Sequence, residues 1–219
     1  TGPVSGATPE IGLSWIQAGG GQQLWDKLVA KMNLNVVGFF SFPMPSQPLG
    51  WFKKSPPKKA ADLKGFKYRT IGLAADMLQE MGMAVAQLPG GEIVPAMQRG
   101  VIDAFEFNNP TSDRRFGAQD VAKNYMMGSF HQAMEFFEIV FNKKKHDALS
   151  AELKAILRYA AEAASSSNWW TAMDNYSRDL QELVGKHKVN VLRTPKSVMA
   201  EQLKAWDVLT KRMSDEDPF

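Results

Sequence analysis

The chain has 219 residues, enough to bury a core in one large domain or two small lobes. Apolar residues make up 44% and charged residues 22%, an ordinary globular balance. A net charge of +3 is too small to argue for nucleic acid, and zero cysteines exclude disulfides and thiolate metal sites without choosing a compartment.

No apolar run approaches the roughly 20 residues needed to cross a bilayer; the longest, Val36 to Phe42, has the length of a buried strand. No basic start followed by an apolar segment is visible, and Thr1 is not an initiator methionine, so the chain reads as processed or as a fragment.

In chain order, the first ten residues read as loop. Leu24, Leu28 and Met32 recur every four positions and predict a short helix after Gly19, Gly20 and Gly21. Asn33 to Phe42 reads as a strand, which Pro43, Pro45 and Pro48 break into an irregular loop carrying Gln47 and ending at Trp51-Phe52. The five lysines between positions 53 and 64, interrupted by Pro56 and Pro57, read as a solvated turn rather than a phosphate or membrane patch.

From Lys67 to Pro110 the pattern is strand, helix, strand, short helix, strand. Leu73, Met77 and Met81 share a helix face with Gly82 as C-cap, Met83 to Leu88 is a strand, and a further helix ends at Gly100. This alternation predicts parallel βαβ units. Ala118 to Tyr125 then reads as helix, and Phe130 to Asn142 holds a strand with Phe137, Ile139 and Phe141 alternating. Ser150 caps a helix to about Gly185, with Leu153, Leu157 and Ala160 on one stripe and Trp169-Trp170 as core. Thr194-Pro195 starts a last helix carrying Met199, Leu203 and Trp206 inward.

Small ligands of α/β sheets settle beyond strand ends, and Arg69 and Glu106 end the first and third strands of the central segment. Arg69 is either a strand-end arginine paired with a nearby carboxylate or a clamp for a ligand carboxylate. The clamp is favoured because Gly72 then opens a helix and a guanidinium matches a carboxylate with two parallel bonds. Glu106 ends an apolar strand, where a carboxylate must be paired or bonded. It makes either a structural salt bridge, to Arg114 or Arg115, or a metal ligand with Gln47 and Gln132 supplying neutral oxygens for a hard cation such as Na⁺ or Ca²⁺. Spacing alone does not connect these three residues. Asn108 and Asn109 either bond a polar ligand or make an Asx-turn before Pro110. His131, His146 and His187 share no metal-binding spacing, and neither a G-x-S-x-G motif nor a P-loop is present.

At DLKGFKYR, LPGGEIVPAMQRGVIDAFEF and FHQAMEFFEIVFNKK the sequence resembles the solute-binding proteins of tripartite ATP-independent periplasmic (TRAP) transporters, from about residue 11 onward. The branch it resembles binds 2-oxo acids with a metal ion bridging ligand and protein. The resemblance implies an α/β, two-lobed periplasmic-binding-protein fold (type II-like), with strands crossing between lobes and long C-terminal helices. Residues 1–45 would belong to lobe I and a crossover, 46–105 to lobe II, 106–145 to the return and second crossover, and 146–219 to helices packing on both lobes. It further implies that Arg69 grips the substrate carboxylate. Glu106, the Phe107 carbonyl and Gln132 bind the metal, and Gln47 touches both metal and ligand. Phe107 stands where the family has tryptophan, and Asn108-Asn109 replaces smaller or more apolar residues near the ligand's tail. The implied ligand is a small organic acid held in a cleft that closes by a hinge, and the implied partners are the membrane-embedded TRAP subunits, with a homodimer as a further candidate. The implied location is periplasmic, with no nucleic acid and no enzymatic step. Family members also carry a strand-helix segment before the position of Thr1 and more helix beyond Phe219, so the chain reads as shortened at both ends.

Two other classes compete. One is an enzyme using Glu106 or Asp103 as general base beside Arg69, against which stands the lack of a nucleophile or histidine in the central motif. The other is a nucleic-acid module, which rests only on the lysines and a pI near 9.0.

Overall fold

The computed structural model describes residues 8–217. The chain divides into two compact units, one built from residues 46–133 and 175–217 and the other from residues 8–45 and 134–174.

The second unit contains helices α1 (Pro9–Ala18) and α2 (Gly21–Lys31), strands β1 (Val36–Met44) and β7 (Glu135–Asn142), and α7 (Lys143–Asp147). The strands β1 and β7 form an antiparallel pair with a register shift between Ser41 and Met44. That irregularity admits Pro43, so the strand runs past the proline expected to end it. Of the first ten residues, read as loop, 1–7 lie outside the described residues, and Pro9 and Glu10 instead open helix α1. Thr8 caps α1 by accepting from the Ile11 amide, and Pro9 supplies a preset φ at the first turn. In α2 the helix is where the spacing placed it, but Leu24 and Met32 are exposed and Val29 is the buried apolar position. Within the strand expected there, β7, Phe137 is 45% exposed.

The long helix α8 (Ala151–Gly185) begins in this unit and ends in the other. Ser150 caps it, its Oγ accepting from the Leu153 amide at 3.2 Å. Its first two turns are not buried: Leu153 is 47% exposed. Burial starts at Ala161 and continues through Ser165, Ala172, Asp179 and Leu183, at helical intervals. Trp170 is 69% exposed and is not core, while Trp169 is half-buried.

The first unit is organised by a six-stranded sheet in the order β4-β3-β5-β2-β6-β8. Its strands are β2 (Gly50–Phe52), β3 (Lys67–Arg69), β4 (Ala84–Ala86), β5 (Ala104–Phe105), β6 (Asn124–Met127) and β8 (Asn190–Arg193). The strands β3, β4 and β5 pair in parallel, as the central segment predicts, while β2 runs antiparallel to β5 and β6. Neighbouring strand residues alternate between two apolar layers. Phe52, Tyr68, Ala104 and Met126 meet Met77 and Leu78 of α3 (Leu73–Glu80) and Val198, Ala205, Trp206 and Leu209 of α9 (Lys196–Glu216). On the other face, Trp51, Phe105 and Tyr125 meet Ile93, Ala96 and Met97 of α4 (Ile93–Arg99), Ala118 of α6 (Ala118–Val121) and Leu183 of α8. Helices thus cover both faces of a partly parallel sheet, an α/β arrangement in which strand ends are left for ligands.

Some local readings shift. Helix α6 stops at Val121, and Asn124-Tyr125 belong to β6 instead. Helix α9 is capped at Pro195, one residue later than Thr194 would place it, and its inward stripe is Val198, Gln202, Ala205, Trp206 and Leu209. Leu203 is 39% exposed. Of the lysine-rich turn, Lys53 donates from Nζ to the Met97 carbonyl at 2.7 Å, and the other four lysines are exposed.

Candidate carboxylate and cation site

The parallel pairing of β3 with β5 aligns Tyr68 with Ala104 and Arg69 with Phe105, so Arg69 and Glu106 emerge at the same sheet end. The Glu106 amide donates to the Arg69 carbonyl at 3.2 Å and locks that register. Strand β2 closes on β5 at Gly50, where φ is +124° and a Cβ would lie 2.2 Å from the Phe105 carbonyl oxygen. Only glycine permits that approach one residue before Glu106.

Arg69 is 3% exposed and Glu106 5%. Arg69 Nη1 donates to the Glu106 carbonyl at 2.8 Å and approaches its Oε1 at 3.3 Å, while Nε donates to the Leu88 carbonyl at 2.9 Å. Nη2 makes no hydrogen bond among the described residues. Burial lowers the Arg69 pKa, and the Glu106 carboxylate opposes that shift. Thr70, missed by the sequence reading, donates from Oγ1 to Glu106 Oε1 at 2.9 Å. The partner expected for Glu106 is corrected: Arg114 pairs instead with Asp179 and Glu182, at 3.0 and 3.4 Å, and Arg69 is the cation beside Glu106. Asp103 precedes β5 at the end opposite Glu106, its amide bonded to the Lys67 carbonyl.

His131 is the second missed residue. It is fully buried, and its Nε2 lies 4.0 Å from Glu106 Oε2. Burial pushes its pKa down to about 4, so the ring is neutral at neutral pH. The next residue, Gln132, accepts at its carbonyl from the Gln47 amide at 2.9 Å, which joins the two loops that carry the expected amide donors. Gln132 Oε1 is buried and has no hydrogen-bond partner in the protein. An orphaned acceptor of that kind costs about 1–3 kcal/mol unless something satisfies it.

The remaining expected residues go elsewhere in part. Asn109 caps α5 (Pro110–Phe116), its Oδ1 accepting from the Ser112 amide at 3.0 Å, as the Asx-turn alternative has it. The Asn108 side chain accepts from Asn109 Nδ2, and its amide donates to Asp113 Oδ1 at 3.0 Å. Asp113 Oδ2 also accepts from Trp51 Nε1 and Tyr125 Oη, both at 2.8 Å. Phe107 stacks on Phe116 with ring centroids 4.5 Å apart, which leaves its carbonyl as the group of interest.

Among the described residues no three His, Cys, Asp or Glu side chains cluster as a metal site. A cation here therefore needs amide and carbonyl oxygens beside one carboxylate, the donor set of a hard ion. The buried Glu106 carboxylate and the orphan Gln132 Oε1 are oxygen donors that fit Na⁺ or Ca²⁺ better than a softer metal.

Arg69 and Glu106, buried together at one strand end of a partly parallel sheet, form a site of the kind where α/β folds hold small ligands. The chain belongs to the bacterial extracellular solute-binding proteins of family 7, whose model matches residues 12–217. It is 29% identical, over 94% of its length, to a monocarboxylate 2-oxoacid-binding periplasmic protein of Nostoc sp. strain PCC 7120. A TRAP transporter solute-binding protein of Bordetella bronchiseptica RB50 superposes over the whole chain with a TM-score of 0.90 at 28% identity. That protein is a mixed-occupancy dimer with copurified calcium and picolinate in one active site. A TRAP periplasmic solute-binding protein of Pseudoalteromonas atlantica T6c, with bound sodium and pyruvate, superposes over 97% of the chain with a TM-score of 0.86 at 26% identity. The chain spans 56% of the Nostoc protein and 64% of each of these two structures. Their two-lobed α/β fold is the one expected here.

Proposed function

We propose that this chain is the substrate-binding component of a TRAP-type secondary transporter, working in the periplasm and capturing a small 2-oxo or 2-hydroxy carboxylate. The observation that carries the reading is the buried Arg69–Glu106 pair at one sheet end, with the unsatisfied Gln132 Oε1 in the loop whose His131 approaches Glu106. Arg69 spends Nε and Nη1 on holding itself in place and keeps Nη2 for a ligand carboxylate. Glu106, Gln132, Gln47 and the Phe107 carbonyl would hold Na⁺ or Ca²⁺. When bound, that ion would add its positive charge to that of Arg69 against the negative charges of Glu106 and the acid. Asn108 and Asn109 would border the remainder of the ligand. The chemistry is neutralisation of buried charge, with no bond made or broken.

The names of the neighbours support this reading: calcium with picolinate in one and sodium with pyruvate in another. Membrane-embedded TRAP subunits are the partners it implies. A homodimer belongs to it only through the Bordetella protein, and light scattering on the eluted protein decides that point.

The test is a thermal-melting panel of carboxylic acids with calcium, with sodium and with chelator. A ligand at a hundredfold excess over its Kd adds about 2.7 kcal/mol of stability. Pyruvate and lactate should raise the melting temperature in the presence of a cation. A panel in which no acid shifts the melt under any ionic condition contradicts the reading.

A further inference from the structure

The loop between β6 and β7 reaches the site through a hydrogen-bond relay from α9. Gln202, fully buried on α9, accepts at Oε1 from the Phe130 amide at 2.8 Å. A backbone N–H can only donate, so this bond fixes which end of the amide is oxygen. Gln202 Nε2 must then donate to Ser129 Oγ, 2.7 Å away. The same Oγ accepts from the His131 amide at 3.3 Å, so both of its lone pairs are filled. Its own hydrogen remains for the third close contact, His131 Nδ1 at 2.6 Å. Nδ1 is therefore an acceptor, and the imidazole is the uncharged tautomer with its hydrogen on Nε2. That Nε2 is buried, has no hydrogen-bond partner in the protein, and lies 4.0 Å from Glu106 Oε2. Trp206 Nε1 clamps the same loop from α9, donating to the Phe130 carbonyl at 3.0 Å.

We propose that His131 is a ligand-binding residue, a fixed N–H donor to an oxygen of the bound acid, and that Gln202 is the positioning residue that sets its tautomer through Ser129. The inference rests on the reading of the site as a carboxylate site and adds a donor to it. A neutral ring held this way is unsuited to ligate a cation through Nε2, because the nitrogen that faces the site carries the hydrogen. It satisfies an anion instead. The donor also complements a ligand that carries more acceptor oxygens than Arg69 Nη2 alone can serve, as a 2-oxo acid does.

The experiment is ¹⁵N–¹H NMR of the full-length protein labelled at histidine, at neutral pH, before and after pyruvate with calcium. The expected result is a protonated Nε2 and an unprotonated Nδ1 for His131, with the Nε2–H resonance moving when pyruvate binds. A hydrogen on Nδ1, or on both nitrogens, overturns the relay. An Nε2–H resonance unmoved by pyruvate that calorimetry shows to be bound overturns the donor role. Gln202→Leu should broaden or mix the tautomers, and an unchanged spectrum in that variant removes Gln202 from the assignment. His131→Phe should weaken pyruvate binding about 10- to 100-fold, the range for one hydrogen bond to a charged acceptor. Should the wild type bind no acid at all, the carboxylate reading fails and the donor role with it, while the tautomer measurement still decides the relay.

Discussion

Arg69 Nη1 donates at 2.8 Å to the main-chain carbonyl of Glu106 and stands 3.3 Å from that residue's carboxylate, both residues nearly fully buried. One nitrogen thus fixes the backbone and the charge of its partner. Removing the guanidinium leaves a carboxylate in the sheet without its cation, and such a loss costs about 3–5 kcal/mol. Arg69→Ala should lose that much in urea unfolding without ligand, and Arg69→Ala with Glu106→Gln should recover a part of it. A single variant within 1 kcal/mol of wild type would show that Glu106 draws its compensation from elsewhere.

Asp113 gives the stability curve a pH signature. Burial lifts its pKa from 3.8 to about 6, against bonds from Trp51, Tyr125 and the Asn108 and Asn109 amides that pull the other way. The folded state then holds the proton more tightly than the unfolded state. Between about pH 4 and 6 the unfolded chain ionises first, and stability falls as pH rises. The loss approaches about 3 kcal/mol above pH 6 and is absent below pH 4. Asp113→Asn lacks this titration, so the wild-type advantage over the variant should shrink by that amount from pH 4 to pH 7. Parallel denaturation curves across the window would contradict the assignment.

The stripe on α9 separates two residues three positions apart. Trp206 is 5% exposed in the apolar layer with Leu209 and Met77, whereas Leu203 is 39% exposed. Trp206→Ala should cost about 3–5 kcal/mol, and Leu203→Ala less than about 1 kcal/mol. Trp206→Ala also frees the Phe130 carbonyl, so it should weaken acid binding where Leu203→Ala does not. Equal melting temperatures for the two variants would place the stripe wrongly.

Gly50 is held at φ +124° against the Phe105 carbonyl, and an added Cβ would need β2 to withdraw from β5. Gly50→Ala should lower stability by at least about 2 kcal/mol, given the strain of that backbone region and the steric conflict. Thermal denaturation measures it, and a variant melting with wild type would show that the sheet yields at this point without cost.

The central βαβ segment was legible because its apolar spacing, Gly82 and Gly100 mark strand and helix ends locally. What pairing does across the sheet was not. A partner for Glu106 was sought at Arg114 or Arg115, a few residues downstream, yet parallel pairing brings in Arg69 from 37 residues upstream. His131 was judged by metal-ligand spacing, and the contact it makes comes from a separate strand end. The cap-and-proline signal was applied at Thr194-Pro195, where the cap falls on Pro195, and not at Thr8-Pro9 or Asn109-Pro110, where a side chain does cap the helix. Family resemblance supplied Gln47 and Gln132, which residue spacing could not join; the Gln47 amide on the Gln132 carbonyl is the bond that joins them.

Calorimetric titration of pyruvate into the protein with calcium, repeated with chelator and with Glu106→Gln, tests the account most directly. It predicts saturable binding by the wild type with calcium, at least tenfold weaker binding after chelation, and a comparable loss in Glu106→Gln even with calcium present. Equal affinity in all three titrations would mean that neither a cation nor the Glu106 carboxylate takes part in holding the acid.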